Sequence, residues 1–171
     1  VVAMNVYEDG IEEKEPTVER ASDYIKLTYP DGTKVVVNTG SPDAFITVDD
    51  FSFVGRAIVY NKNSVMLVNG SYLADDLTIL VVSMEPVTAA MGLGQLSLSS
   101  SKETTVEIMY PNKYVSIEDV ENFTDYMGRN LSSDIGITGI EDKTEYSSMA
   151  ITMEPGDYNL LDSSYGIFTP S

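Results

Sequence analysis

Residues 24–38 read YIKLTYPDGTKVVVN, and their pattern decides the fold class. Two alternating runs, Tyr24–Tyr29 and Thr33–Asn38, flank Pro30-Asp31-Gly32. Proline suits the first central position of a type I turn, and glycine takes the left-handed residue that closes a bulged hairpin. The stretch therefore predicts two antiparallel strands joined by a tight turn.

The same grammar continues downstream. Ala44–Val48 and Phe51–Val54 read as strand segments around Asp49-Asp50, and Arg56–Tyr60 and Ser64–Val68 flank the short loop Asn61-Lys62-Asn63. Asn69-Gly70 predicts a two-residue hairpin turn into Ser71–Leu73. Leu77–Met84 (LTILVVSM) is nearly continuous in apolar side chains, so a central strand buried on both faces is expected. Residues 87–103 (VTAAMGLGQLSLSSSKE) are small and Ser-rich, which predicts a long surface loop with one helical turn near Ala89–Met91. Thr104–Tyr110 and Glu145–Glu154 return to strand, and 129–144 reads as loop.

One helix is signalled, Ser116–Met127. Ser116 and Asp119 form a capping box with Asp in place of Glu, Ile117, Val120, Phe123 and Met127 share a face, and Gly128 suits a left-handed stop. The expected architecture is mainly all-β: an antiparallel sandwich or barrel of about nine strands, with this short helix covering one face. The tail at 157–171 carries Tyr158, Leu160, Leu161, Tyr165, Ile167 and Phe168, enough apolar groups to dock on the body or a neighbour.

Composition narrows the chemistry. The 171 residues contain no His, Cys or Trp. Without His there is no Ser-His-Asp or Cys-His nucleophile, and without His or Cys there is no ordinary zinc, copper or iron–sulfur centre. Gly92-Leu93-Gly94 lacks the spacing of a phosphate-binding loop. Asp49-Asp50 and Asp75-Asp76 are acidic doublets outside any EF-hand pattern, so they read as solvated loop charge rather than as calcium ligands. No catalytic residue, metal or cofactor is assigned, and an enzyme is not expected. Three sequons occur, at Asn69, Asn122 and Asn130, where about two would arise by chance in such a chain, so they do not by themselves support glycosylation.

With 27 acidic residues against 10 basic, the net charge is −17, which disfavours nucleic acid and anionic membranes as partners. No apolar run reaches the ~18 residues needed to span a bilayer. Position 1 is Val rather than Met, which fits a processed or trimmed start.

Residues 1–20 stand apart as an N-terminal arm and acidic tether, with 21–171 as a single β-rich domain. In VVAMNVY, Val2, Met4 and Val6 lie on one side of an extended chain, and eight charged residues follow among Glu8–Arg20. Such a leash extends by self-repulsion and lets the strand add to a neighbour's sheet. The expectation is therefore a non-catalytic structural subunit of a virion or extracellular filament, with Val2, Met4 and Val6 as apolar pegs and other copies or other structural subunits as partners. The alternative is a sandwich that binds a carbohydrate or surface receptor through Tyr-bearing loops and the Ser-rich stretch 97–101. A carboxylate-based hydrolase comes third.

Overall fold

A computed structural model describes residues 15–76, 78–92, 95–111, 135–142 and 146–161. They form twelve strands. In chain order these are β1 (Thr17–Arg20), β2 (Tyr24–Thr28), β3 (Lys34–Asn38), β4 (Phe45–Val48), β5 (Phe51–Asn61) and β6 (Ser64–Asp75). There follow β7 (Thr78–Gly92), β8 (Gln95–Ser100), β9 (Thr104–Pro111), β10 (Ile135–Asp142), β11 (Tyr146–Met153) and β12 (Gly156–Leu161). Every pairing is antiparallel. The all-β class is as expected. The sheet is not closed, which removes the barrel and leaves a sandwich-like arrangement. The helix expected at Ser116–Met127 lies outside the described residues.

The opening hairpin forms as its turn chemistry demands. Gly32 adopts φ 86°, its N–H donates to the Tyr29 carbonyl at 2.9 Å, and the Asp31 carboxylate accepts from the Thr33 N–H at 2.8 Å. β2 and β3 then pair in register from Tyr24↔Asn38 to Thr28↔Lys34. The last residues of the expected tether join them: Thr17–Arg20 is a four-residue edge ladder on β2, anchored by Glu19 to Lys26 at 3.0 Å. An extended acidic segment satisfies an otherwise unpaired strand edge as readily as it floats in water.

β5 and β7 are long because each is shared between two neighbours along one edge, and β6 runs the length of both between them. Phe51–Val54 of β5 pairs with β4, while Ala57–Tyr60 pairs with β3. Val81–Ser83 of β7 pairs with β9, while Val87–Gly92 pairs with β8. Bulges mark the changeover: between Val54 and Gly55 on β5, and around Gly70 on β6. Here the structure corrects the expected turn at Asn69-Gly70. The strand runs straight through; Asn69 takes φ 44° and donates its N–H to Thr88 Oγ1 at 3.0 Å. Gly70 is required because a Cβ there would run into the Val54 carbonyl oxygen, Leu67 and Gly55. Asn-Gly supplies a left-handed residue and a bare backbone, and a bulge uses both as well as a turn does.

The long loop expected over 87–103 is instead the β7–β8 hairpin. Val87, Ala89 and Met91 on β7 and Leu96 and Leu98 on β8 alternate into the core, so the helical turn near Ala89–Met91 is also corrected. β10 replaces part of the loop expected over 129–144. The tail begins to dock as anticipated: β12 pairs with β8, and Ser99 Oγ donates to the Asp157 carboxylate at 2.5 Å.

One core cluster draws on β3 to β9 and on β11, with Tyr24 of β2 and Tyr158 of β12 packed against it. It runs from Val36 and Ile46 through Phe53, Ile58, Leu67, Leu73 and Leu98 to Tyr110 and Ile151. A sheet whose outlying strands reach one common core must fold back on itself, which is how an open antiparallel sheet hides a face without closing. The three buried polar side chains of this set, Ser83, Ser100 and Thr104, make local hydrogen bonds: Ser83 Oγ donates to the Glu85 carbonyl at 2.6 Å, and Ser100 Oγ to the Lys102 carbonyl at 2.7 Å. Thr104 Oγ1 lies 3.2 Å from Ser83 Oγ.

Candidate functional site

Antiparallel strands that cover a core alternate apolar inward and polar outward. β7 departs from this rule. Leu80, Val81 and Ser83 are buried, as expected for a central strand. Their neighbours are apolar too, yet Ile79 is 44% exposed, Val82 37% and Met84 94%. The expectation that this run is buried on both faces is therefore corrected: among the described residues it is central but covered on one face only.

Register shows that the exposed side chains belong to a row. Phe45 of β4 stands opposite Val54 of β5, Val54 opposite Tyr72 of β6, and Tyr72 opposite Val82 of β7. The row continues through Glu107 of β9 to Ala150 of β11. Phe45 is 60% exposed, and its ring lies 5.6 Å from that of Tyr72 at an interplanar angle of 42°. Directly opposed side chains on one face sit close enough to form a continuous surface. Beside Val82 the face sinks into a groove of about 340 Å³ lined by Ile79, Val82, Met109, Met149 and Ala150, with Glu107 in its wall. At one border Thr105 and Thr152 pair their hydroxyls at 2.9 Å.

A second cluster surrounds Asp49 in the β4–β5 turn, where φ is 49°. Lys26 Nζ donates to its Oδ1 at 2.9 Å, Lys34 Nζ to Oδ2 at 2.7 Å, and the Tyr60 hydroxyl to Oδ2 at 2.6 Å. Lys34 also lies 5.6 Å from the centre of the Tyr60 ring. Partial burial opposes the charge on Asp49, but the bonds from Lys34, Tyr60 and Lys26 outweigh it and hold the carboxyl well below its ordinary range. Burial and the bond to Asp49 push the Tyr60 phenol far above its usual value, and bonds to Asp49 and Glu19 raise Lys26.

These shifts lock each group in its ordinary charge state at neutral pH, the reverse of what acid–base catalysis needs. Both carboxylate oxygens are used by the protein's own donors. Asp49 thus fastens the turn to β2, β3 and β5, and through Lys26 and Glu19 to β1. The expectation of merely solvated charge is too weak for Asp49. Among the described residues no group of three or more His, Cys, Asp or Glu could hold a metal ion.

Val2, Met4 and Val6 lie outside the described residues. Among the described residues no helix is long and apolar enough to cross a membrane. Compared with known proteins, the chain matches no family model and no curated sequence.

Proposed function

We propose that this protein is a non-catalytic structural subunit of a larger assembly, a virion capsid, tail or accessory component or an extracellular filament subunit. It docks on its neighbours through the outer sheet face and through the N-terminal arm carrying Val2, Met4 and Val6. The observation that carries this reading is the row Phe45–Val54–Tyr72–Val82 with Ile79 and Met84 beside it, an apolar surface on a face that a free monomer would keep polar.

Magnitudes say why two contacts are needed. Covering the exposed parts of Phe45, Ile79, Val82 and Met84 would contribute about 5 kcal/mol, at ~1.5–3 kcal/mol for a fully buried side chain. Association costs roughly 4–15 kcal/mol in lost freedom. The face alone therefore gives weak docking, and an added strand supplies the main-chain hydrogen bonds that complete it.

The test is mass by light scattering with negative-stain images on the full chain, a chain lacking residues 1–14, and Val82→Glu. Assembly of the full chain, with loss or weakening in both variants, is expected. Equal monomer masses for all three at high protein concentration would overturn the reading.

A further inference from the structure

Four strands have one partner each among the described residues: β1, β4, β10 and β12. They are not equivalent as templates for another strand. β1 and β4 are four residues long and β12 is six, whereas β10 is eight. β1 is exposed throughout and carries Glu19 and Arg20, the charged short edge by which sheets discourage pairing. β10 reads IGITGIED, without Lys, Arg or Pro, and its ladder is regular from Ile135 to Thr138 before a bulge and the acidic end Glu141-Asp142. That is the least protected edge of the described sheet.

Its register also suits an apolar strand. Ile135 and Ile137 stand opposite Met153 and Ile151 of β11, both buried in the core. A strand with apolar residues at alternate positions, laid along the outer edge of β10, would extend those rows. Val2, Met4 and Val6 have that spacing.

We propose, on the basis of the structural-subunit reading, that residues 1–7 of one copy add to the β10 edge of a second copy, with Val2, Met4 and Val6 in the rows of Ile135 and Ile137. The arm leads into β1, and β10 closes the opposite end of the strand path, so donor and acceptor are different edges of the sheet. The structural-subunit reading selects a second copy as the donor, and the chain's own edge is the outcome that the double variant below tests. Donor and acceptor on different edges allow a head-to-tail contact, which generates rings or open filaments, as well as a reciprocal exchange between two copies.

The chain has no Cys, so disulfide trapping starts from a clean background. Met4→Cys chains are mixed with Ile137→Cys chains and oxidised, beside a Met4→Cys and Val18→Cys mixture that reports on the β1 edge. A disulfide-linked pair of chains with Ile137→Cys, and little with Val18→Cys, is expected; a single chain carrying both Met4→Cys and Ile137→Cys should give a ladder. Absence of the Ile137→Cys product, equal capture by Val18→Cys, or only an intrachain disulfide in the double variant would overturn the proposal. Should Ile137→Cys fail to fold, a synthetic peptide of residues 1–14 is titrated onto the chain lacking them. Binding that drops at least tenfold when Val2, Met4 and Val6 are all Asp, and that Thr138→Lys also weakens, supports the β10 site; failure to bind overturns it. Light scattering on the same samples separates the two levels. If only the full chain assembles and β10 captures nothing, the acceptor is wrong and the arm reading stands; if the full chain stays monomeric, both fall.

Discussion

Replacing Asp49 by Asn removes one charge and leaves the backbone alone. Asn tolerates the left-handed φ of 49° that position 49 requires, so the substitution isolates electrostatics from strain. Three donors lose their anionic acceptor: Lys26, Lys34 and the Tyr60 hydroxyl. Hydrogen bonds to charged groups contribute roughly 1.5–3 kcal/mol each when buried, but exposed ion pairs contribute only about 0–1 kcal/mol. The Asp49 side chain is 28% exposed and Lys34 35%, so most of the effect rests on the half-buried Tyr60 bond and on Lys26. The expected cost at pH 7 is about 2 kcal/mol, or roughly 4–8 °C in Tm for a chain of this size. The pH dependence has a definite sign. A carboxyl whose folded pKa is depressed stabilises above its unfolded value, ordinarily 3.8, and loses that contribution as pH falls through the folded value. The gap between wild type and Asp49→Asn should therefore be flat from pH 5 to 9 and narrow below pH 4. Urea unfolding followed by circular dichroism at pH 7 and pH 2.5 measures it. A gap below about 0.5 kcal/mol at pH 7, or one undiminished at pH 2.5, would refute the reasoning.

The glycines separate crowding from backbone strain. Gly70→Ala should destabilise by several kcal/mol, because its Cβ meets backbone that cannot move without undoing the β5–β6 bulge. Gly32→Ala should cost only about 1 kcal/mol, since nothing lies within 4 Å and only the left-handed φ of 86° is penalised; thermal melts of both variants check the ranking. Phe53→Ala, fully buried, should cost about 3–5 kcal/mol, whereas Met84→Gln on the outer face should change stability by less than ~0.5 kcal/mol while weakening self-association, read by denaturation and light scattering respectively.

Local chemistry was legible where it admits one solution. Pro30-Asp31-Gly32 between alternating runs has one low-energy outcome, and the hairpin forms. Asn69-Gly70 has two, because a left-handed residue followed by glycine serves a turn or a bulge equally, and the choice is made by Gly55 across the ladder, fifteen residues away. Residues 87–100 were obscured by size: Ala89 fills an inward position as fully as a larger residue would, but carries little hydrophobic signal. β10 was hidden by its glycines and by the Ser and Asp residues before it. The apolar row was beyond a linear reading, since Phe45, Val54, Tyr72 and Val82 meet only through the register of four strands. One sign of it was present all the same. A run apolar on both faces, Leu77–Met84, asks for two covers, and the core supplies one.

The remaining question is how a chain of net charge −17 can be drawn to its own copies. Repulsion between two such bodies is long-ranged, while an apolar row and a strand edge act only at contact. At physiological ionic strength the Debye length is about 8 Å, so added salt weakens the repulsion far more than it weakens the contacts. Self-assembly through the outer face and the β10 edge should therefore strengthen between 0.05 and 0.5 M NaCl at fixed protein concentration, as the screening length tightens from ~14 Å to ~4 Å. A basic partner held by the acidic surface would show the opposite trend, since screening removes the attraction itself. Sedimentation velocity across that salt range decides between them: larger species at high salt support a building block that meets its own kind, and dissociation at high salt would assign the acidity to a cationic partner and end the homotypic reading.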